Sequence, residues 1–289
     1  MNTPLLLAIA ILTTAQPAIF APGVVSGVAN AGSPTFTPDG NTMYFTRSGG
    51  RWSVIVESHR VADGWSPPQV APFSGEWSDQ QPAMAPDGSF LVFVSVRQHV
   101  ANLWLVERQG SGWSAPARLP DAVNIGTSVW RPSVARDGSI YFFVIKDRTM
   151  RLYRAPCDHG QYLPAMPLPF SSGTTSDVDP EIAPDESFIV FASAGRSSAN
   201  DTHEHLFVAH RQGADWGPVT RVAYEGLDSN ADDNEPRLSP DRRLLYFSSN
   251  RSLPVTFPRS REQAVRDAAR LAQWDSGNNN VWSLEWLVD

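Results

Sequence analysis

Apolar residues in this chain fall in short unbroken runs, and those runs recur. "FLVFV" (Phe90–Val94), "IYFFVI" (Ile140–Ile145), "FIVFA" (Phe188–Ala192) and "LLYF" (Leu244–Phe247) are rich in β-branched and aromatic residues. None shows the three-to-four spacing of an amphipathic helix, nor the alternation of a strand with one wet face. Such runs predict strands covered on both sides. Each follows a turn signal, "PDG" at Pro86–Gly88 being the clearest, in which Pro presets φ, Asp bonds nearby backbone and Gly accepts positive φ.

The turns and strands belong to a longer repeat. "SPTFTPDGNTMYF" (Ser33–Phe45), "QPAMAPDGSFLVF" (Gln81–Phe93), "RPSVARDGSIYFF" (Arg131–Phe143), "DPEIAPDESFIVF" (Asp179–Phe191) and "EPRLSPDRRLLYF" (Glu235–Phe247) align without a gap, their starts 48, 50, 48 and 56 residues apart. The second unit continues through "NLWLVER" (Asn102–Arg108), the turn "QGSGWS" and a short strand near "ARLP" (Ala117–Pro120). Four antiparallel strands in about fifty residues, both faces buried, describe a β-propeller blade. Punctuation by Gly, Pro, Asn and Asp every ten residues or so excludes a helical solenoid.

The fifth unit ends in "NNNVWSLEWLVD" (Asn278–Asp289), which matches a third strand and leaves the fourth missing. "PAIFAPGVVSG" (Pro17–Gly27) resembles "PPQVAPFSG" (Pro67–Gly75), the fourth strand of the first unit. Residues 18–25 are therefore expected to pair with Val281–Leu287 and close a ring of five blades, which removes the exposed sheet edge. The expected fold is an all-β five-bladed β-propeller over residues 16–289. A short amphipathic helix is expected within Arg259–Gly277, inserted between the second and third strands of the fifth blade, with Val265, Ala268, Ala269 and Ala272 along one side.

These repeats resemble the TolB-type, WD-like propeller family, with its Pro, then S-P-D-G, then an apolar strand ending in Ser-x-Arg. The last element is Ser95-Val96-Arg97 here, and looser at Arg47, Arg148, Arg196 and Arg251. The resemblance implies the propeller fold and is unspecific for function. Arg136 departs from the pattern at the turn proline, and Glu186 and Arg242 depart from it at the turn glycine.

Composition narrows the function classes. The net charge is −7 and Lys146 is the only lysine, which disfavours nucleic-acid and anionic-lipid partners. Cys157 is the only cysteine, so no intrachain disulfide forms. The apolar run Leu5–Leu12, followed by Thr13-Thr14-Ala15, predicts an export signal over residues 1–15 and a periplasmic or secreted protein, although no basic residue precedes the run. No later segment has transmembrane length.

Blade topology puts the residues ahead of each inner strand at one mouth of the central channel. There Asp79, Asp177, Asp179, Asp233 and Glu235 are expected to converge, with Arg131 among them, as a candidate site for a protein partner or a small polar ligand. The opposing reading has these carboxylates capping strand starts. Asp228, Asn230 and Asp232 have the spacing that opens a calcium loop but lack its glycine and distal glutamate, so no cofactor is expected beyond a weak Ca²⁺ possibility. His203 and His205 are expected at the surface, and Trp65, Trp113, Tyr162 and Trp216 between blades. No nucleophile elbow, Walker loop, dinucleotide motif or HExxH occurs. Two functions remain open: a binding scaffold that uses the acidic mouth, or a glycan-active hydrolase on inner-strand carboxylates with Trp77 and Trp130 stacking on sugar.

Overall fold

Each repeat becomes one sheet. The computed structural model describes residues 16–146, 149–224 and 230–286; the expected export signal, Arg148 and Asp228 lie outside them. The inner strands are Asn30–Phe36, Ser78–Met84, Ser128–Val134, Ser176–Ile182 and Asp233–Leu238. Each pairs with a second strand (Thr42–Ser48, Phe90–Arg97, Ile140–Lys146, Phe188–Ala194, Leu244–Ser249) and, through it, with a third. Five such antiparallel sheets form a five-bladed β-propeller. The second strands are buried along most of their length on both faces, which accounts for their unbroken apolar runs. Neighbouring blades share the core; Tyr44 and Phe73 of blade 1, for example, pack with Phe93 and Trp113 of blade 2. Trp216 packs likewise on Phe170 of blade 3.

The ring closes through the N-terminal segment. Ala18 and Ile19 pair with Ser283 and Trp282 of the last strand, Asn280–Glu285. The regular pairing is shorter than expected because the chain turns at Ala21, a left-handed residue with φ of 43°. Side-chain bonds carry the contact onward, for Ser26 Oγ accepts from Val281 N (3.2 Å) and donates to its carbonyl (3.0 Å). Ser74 plays the same part in blade 1, accepting from Ile55 N at 3.0 Å. The likeness between the two segments therefore extends to a shared hydrogen bond.

The five "PDG"-type turns define the lower face. Asp39, Asp87, Asp137, Asp185 and Asp241 each accept a bond from the backbone N–H two residues on, at 2.8–3.1 Å. The next residue is left-handed in all five turns, including the non-glycines Glu186 and Arg242 at φ of 58°. Their side chains offset that strain: Glu186 accepts from Tyr141 Oη (2.6 Å) and Arg154 Nε (2.7 Å), and Arg242 pairs with Asp185.

The inserted helix spans Arg261–Gln273 and starts with a capping box between Ser260 and Gln263. It buries none of its residues. The expected apolar side faces solvent, Val265 being 61% exposed. Asp267 and Arg270 instead turn inward to Arg259 and Asp275, at 2.7 and 3.1 Å, so ion pairs and not apolar contacts seat the helix. Among the described residues no helix is long and apolar enough to cross a membrane.

Candidate functional site

Every inner strand carries the same irregularity. Pairing with the second strand shifts register between Gly32 and Thr35, Gln80 and Ala83, Trp130 and Ser133, Val178 and Glu181, and Asn234 and Arg237. The first skipped residue is the one before proline, and in all five blades it is left-handed: Ser33, Gln81, Arg131, Asp179 and Glu235 have φ between 51° and 55°. Proline cannot donate to the ladder, so the strand bulges there. The strain is of order 1 kcal/mol per residue and recurs wherever the chain reaches the axis.

Side-chain bonds link four of these five positions, all but Ser33, across the ring. Gln81 Nε2 donates to Glu235 Oε1 (3.2 Å), and Gln81 Oε1 accepts from Arg131 N (3.0 Å). Asp179 Oδ2 accepts from Glu235 N (3.1 Å), and Ser248 Oγ donates to Glu235 Oε2 (2.7 Å). Gly32 makes this possible: a Cβ there would meet Ser248 Oγ at 2.6 Å and collide with the Glu235 carboxylate.

A second tier lies below, at the first position after each proline. Arg237 Nη1 donates to Glu181 Oε2 (2.5 Å), which also accepts from Ser133 Oγ (2.8 Å), while Glu181 Oε1 takes Leu238 N (2.9 Å). Arg237 Nη2 reaches the carbonyls of Pro82 and Pro132, both at 3.2 Å, and Arg131 Nη2 reaches that of Pro236 at 2.7 Å. The two guanidinium groups span blades 2, 3 and 5, with Arg131 0% and Arg237 5% exposed. They fill the waist of the channel. Below them lies a depression of about 530 Å³, with Glu181 and Arg237 among its lining residues, and with Pro86, Pro184 and Pro240. Burial, and then the charge of Arg131, pull the Arg237 pKa down to about 10, so it stays charged at neutral pH.

Above the waist, Asp179, Glu204 and Glu235 act on one another electrostatically. Burial, and then the charges of Glu235 and Glu204, hold the Asp179 carboxyl well above the usual carboxylate range. Glu204, from the loop before the third strand of blade 4, is raised too, by burial and then by Asp232 and Glu235. Asn234 Nδ2 steadies it with a bond of 2.7 Å. Three carboxyl groups therefore share one field, and Asp179 keeps its proton further up the pH scale than an isolated aspartate.

The six charged candidates divide into two groups. Arg131, Asp179 and Glu235 meet at the channel. Asp79, Asp177 and Asp233 do not line it: they sit two residues earlier, buried within the blades at 2%, 0% and 0% exposure. Asp177 accepts from Arg196 Nη2 (2.7 Å) and Ser193 Oγ (2.7 Å), and Asp233 from Arg251 Nη2 (2.5 Å) and Tyr224 Oη. Asp79 binds Ser74 Oγ and Gly75 N at 3.0 and 3.1 Å. In blades 4 and 5 the arginine that follows the second strand is thus the partner of an inner-strand aspartate. Blade 1 has Ala31 at that position, and there Arg47 donates to the Val24 carbonyl instead (2.6 Å).

Gln81, Glu204, Glu181 and Arg237 are further site residues. The first and the last two stand directly beside the repeated proline, a signal the sequence carries; Glu204 has none. His205 is buried, contrary to expectation, because Asp201 Oδ2 holds its Nε2 at 2.9 Å. Asp232 spends its oxygens on His203, Glu204 N and Asn250. Among the described residues no cluster of three His, Cys, Asp or Glu side chains is disposed to hold a metal ion.

No protein-family model matches the sequence, and no curated protein matches it. Solved structures do. A protein assigned as TolB from Agrobacterium tumefaciens superposes with a TM-score of 0.54 at 16% identity, over 89% of this chain and 91% of that one. TolB from Acinetobacter baumannii gives 0.50 at 13%, over 89% of this chain and 54% of its own length. A thermostable family-43 glycoside hydrolase gives 0.52 at 13%, over 79% and 86%. At these identities the likeness is one of architecture: the chain has the β-propeller fold that these TolB and hydrolase structures share.

Proposed function

We propose that this protein is an exported, non-enzymatic binding scaffold that engages a protein partner or a small polar ligand through the acidic upper mouth of its channel. The observation that carries this reading is the convergence of Asp179, Glu235 and Glu204 over a waist sealed by Arg131 and Arg237. With the waist filled, these carboxyl groups are acceptors in fixed positions, suited to a surface contact. The carboxylates are also largely engaged with one another's backbone, with Gln81, Ser248 and Asn234, and so are preorganised. The TolB-type fold is consistent with such a role.

One observation favours a second reading. A carboxyl that retains its proton beside another carboxylate is what a glycosidase acid and base require, and Asp179 with Glu235 meets the electrostatic half of that requirement. The two readings separate in one experiment. A photo-crosslinking residue at Trp130, half-buried beside the mouth, is expected to capture a partner in cells that make the protein, and Glu204→Arg should abolish the capture. Release of reducing sugar from oligosaccharides by the wild type, lost in Glu235→Gln, would establish the hydrolase instead.

A further inference from the structure

Two tryptophans stand out on the upper rim between blades 1 and 2. Trp52, at the turn between the second and third strands of blade 1, is 60% exposed, and Trp77, just ahead of the inner strand of blade 2, is 40% exposed. The residues that follow them are tied together: Ser53 N donates to Ser78 Oγ (3.0 Å), and Ser53 Oγ donates to Gln80 Oε1 (3.2 Å). The two backbones that present the indoles are therefore fixed relative to each other across the blade junction.

Trp77 is also held from behind. The Arg97 guanidinium lies 5.4 Å from its ring centroid and 3.5 Å from that of Trp104, so Arg97 is shared between two indoles. Such cation–π contacts are worth about 0.5–1 kcal/mol each at exposed sites. They lock Trp77 with one face packed and leave the remainder to solvent. An exposed indole costs apolar hydration, and two carried on linked backbones at one blade junction are open to a ligand.

The surroundings select the occupant. Trp52 is flanked by Arg51 and Ser53, and Trp77 by Glu76 and Ser78, so the indoles are separate apolar faces in polar ground and not one continuous patch. Gln80, half exposed, spends its carbonyl on Ser53 and keeps its amide nitrogen for another acceptor. Separate aromatic faces with amide and hydroxyl groups at their edges match a sugar chain, whose rings offer C–H faces for stacking and hydroxyls at their rims. The ring of a protein partner's contact would instead need a contiguous apolar centre. We propose that the rim between blades 1 and 2 is a carbohydrate-binding platform on which Trp52 and Trp77 stack against sugar rings of a neutral glycan. This rests on the reading of the upper face as a binding face, and it names the ligand class.

The test uses the whole protein with cellohexaose, xylohexaose, mannohexaose and chitohexaose, followed by tryptophan fluorescence and calorimetry. At least one hexaose is expected to bind and shift the indole emission. Trp52→Ala and Trp77→Ala should each weaken that binding about tenfold or more, with Trp77→Phe retaining more than Trp77→Ala. Trp52 packs on little beyond its own turn, so a normal circular dichroism spectrum for Trp52→Ala guards against misfolding. No binding of any hexaose by the wild type, or binding that survives both alanine variants, would overturn the platform. If no hexaose binds while the Trp130 cross-link still depends on Glu204, the platform falls and the mouth reading stands.

Discussion

Glu181→Ala should be the most damaging single substitution in the channel, costing about 3–5 kcal/mol and lowering Tm by about 10 °C. Alanine removes the acceptor of Arg237 Nη1, Ser133 Oγ and Leu238 N at once. It also leaves the Arg237 guanidinium buried near that of Arg131 without its hydrogen-bonded carboxylate, the charge of Glu235 acting on it only at longer range. An uncompensated buried charge is worse than an absent pair. The double variant Glu181→Leu with Arg237→Leu should therefore recover much of the loss. Thermal and urea unfolding check both, and a single variant within about 2 °C of wild type would show that the pair does not close the waist.

Removing residues 16–27 should be more damaging still. Val25 is fully buried, Phe20 packs on Tyr246 with centroids 4.8 Å apart, and the Val24 carbonyl takes Arg47 Nη2 at 2.6 Å. Gly27 N and Ser26 Oγ add bonds to Asn280 and Val281. Val25, with the half-buried Ile19, Phe20 and Val24, at about 1.5–3 kcal/mol for a fully buried side chain and less for the others, amounts to a large share of a typical domain's stability of about 5–15 kcal/mol. The last strand would also become an open edge. The truncated protein is expected to aggregate or unfold below 37 °C by size-exclusion chromatography and circular dichroism. A truncated monomer with an unchanged Tm would refute closure by this segment.

The ring was legible because its causes are local. Pro86-Asp87-Gly88 and its counterparts state their turn, and Phe90–Val94 and its counterparts state a doubly covered strand. The likeness of Pro17–Gly27 to Pro67–Gly75 foretold the closing segment; the matching bonds of Ser26 and Ser74 are visible only in the structure. The site was half legible. Acidity alone cannot tell Asp177 from Asp179, because the bulge at the pre-proline residue decides which side chain faces the axis. It aims Asp179 inward and leaves Asp177 within the blade, beside Arg196. Gln81, Glu181 and Arg237 stand at positions marked by the repeat, yet their residue types alone do not set them apart from the strand around them. The helix misled for a related reason: Val265 and the alanines form an apolar stripe, yet Arg259 and Asp275 draw Asp267 and Arg270 inward and turn that stripe outward.

The account turns on carboxyl groups from blades 4 and 5 meeting at one opening, and a carbon-13 carboxyl titration of Asp179 by NMR measures that meeting. Its folded-state pKa lies above its unfolded value, so the fold holds an extra proton there, and Asp179 lowers stability as pH rises between the two values. The expected titration of Asp179 lies well above the ordinary aspartate range and moves down in Glu235→Gln, as the neighbouring charge is removed. An Asp179 that titrates in the ordinary range, indifferent to Glu235→Gln, would contradict the account.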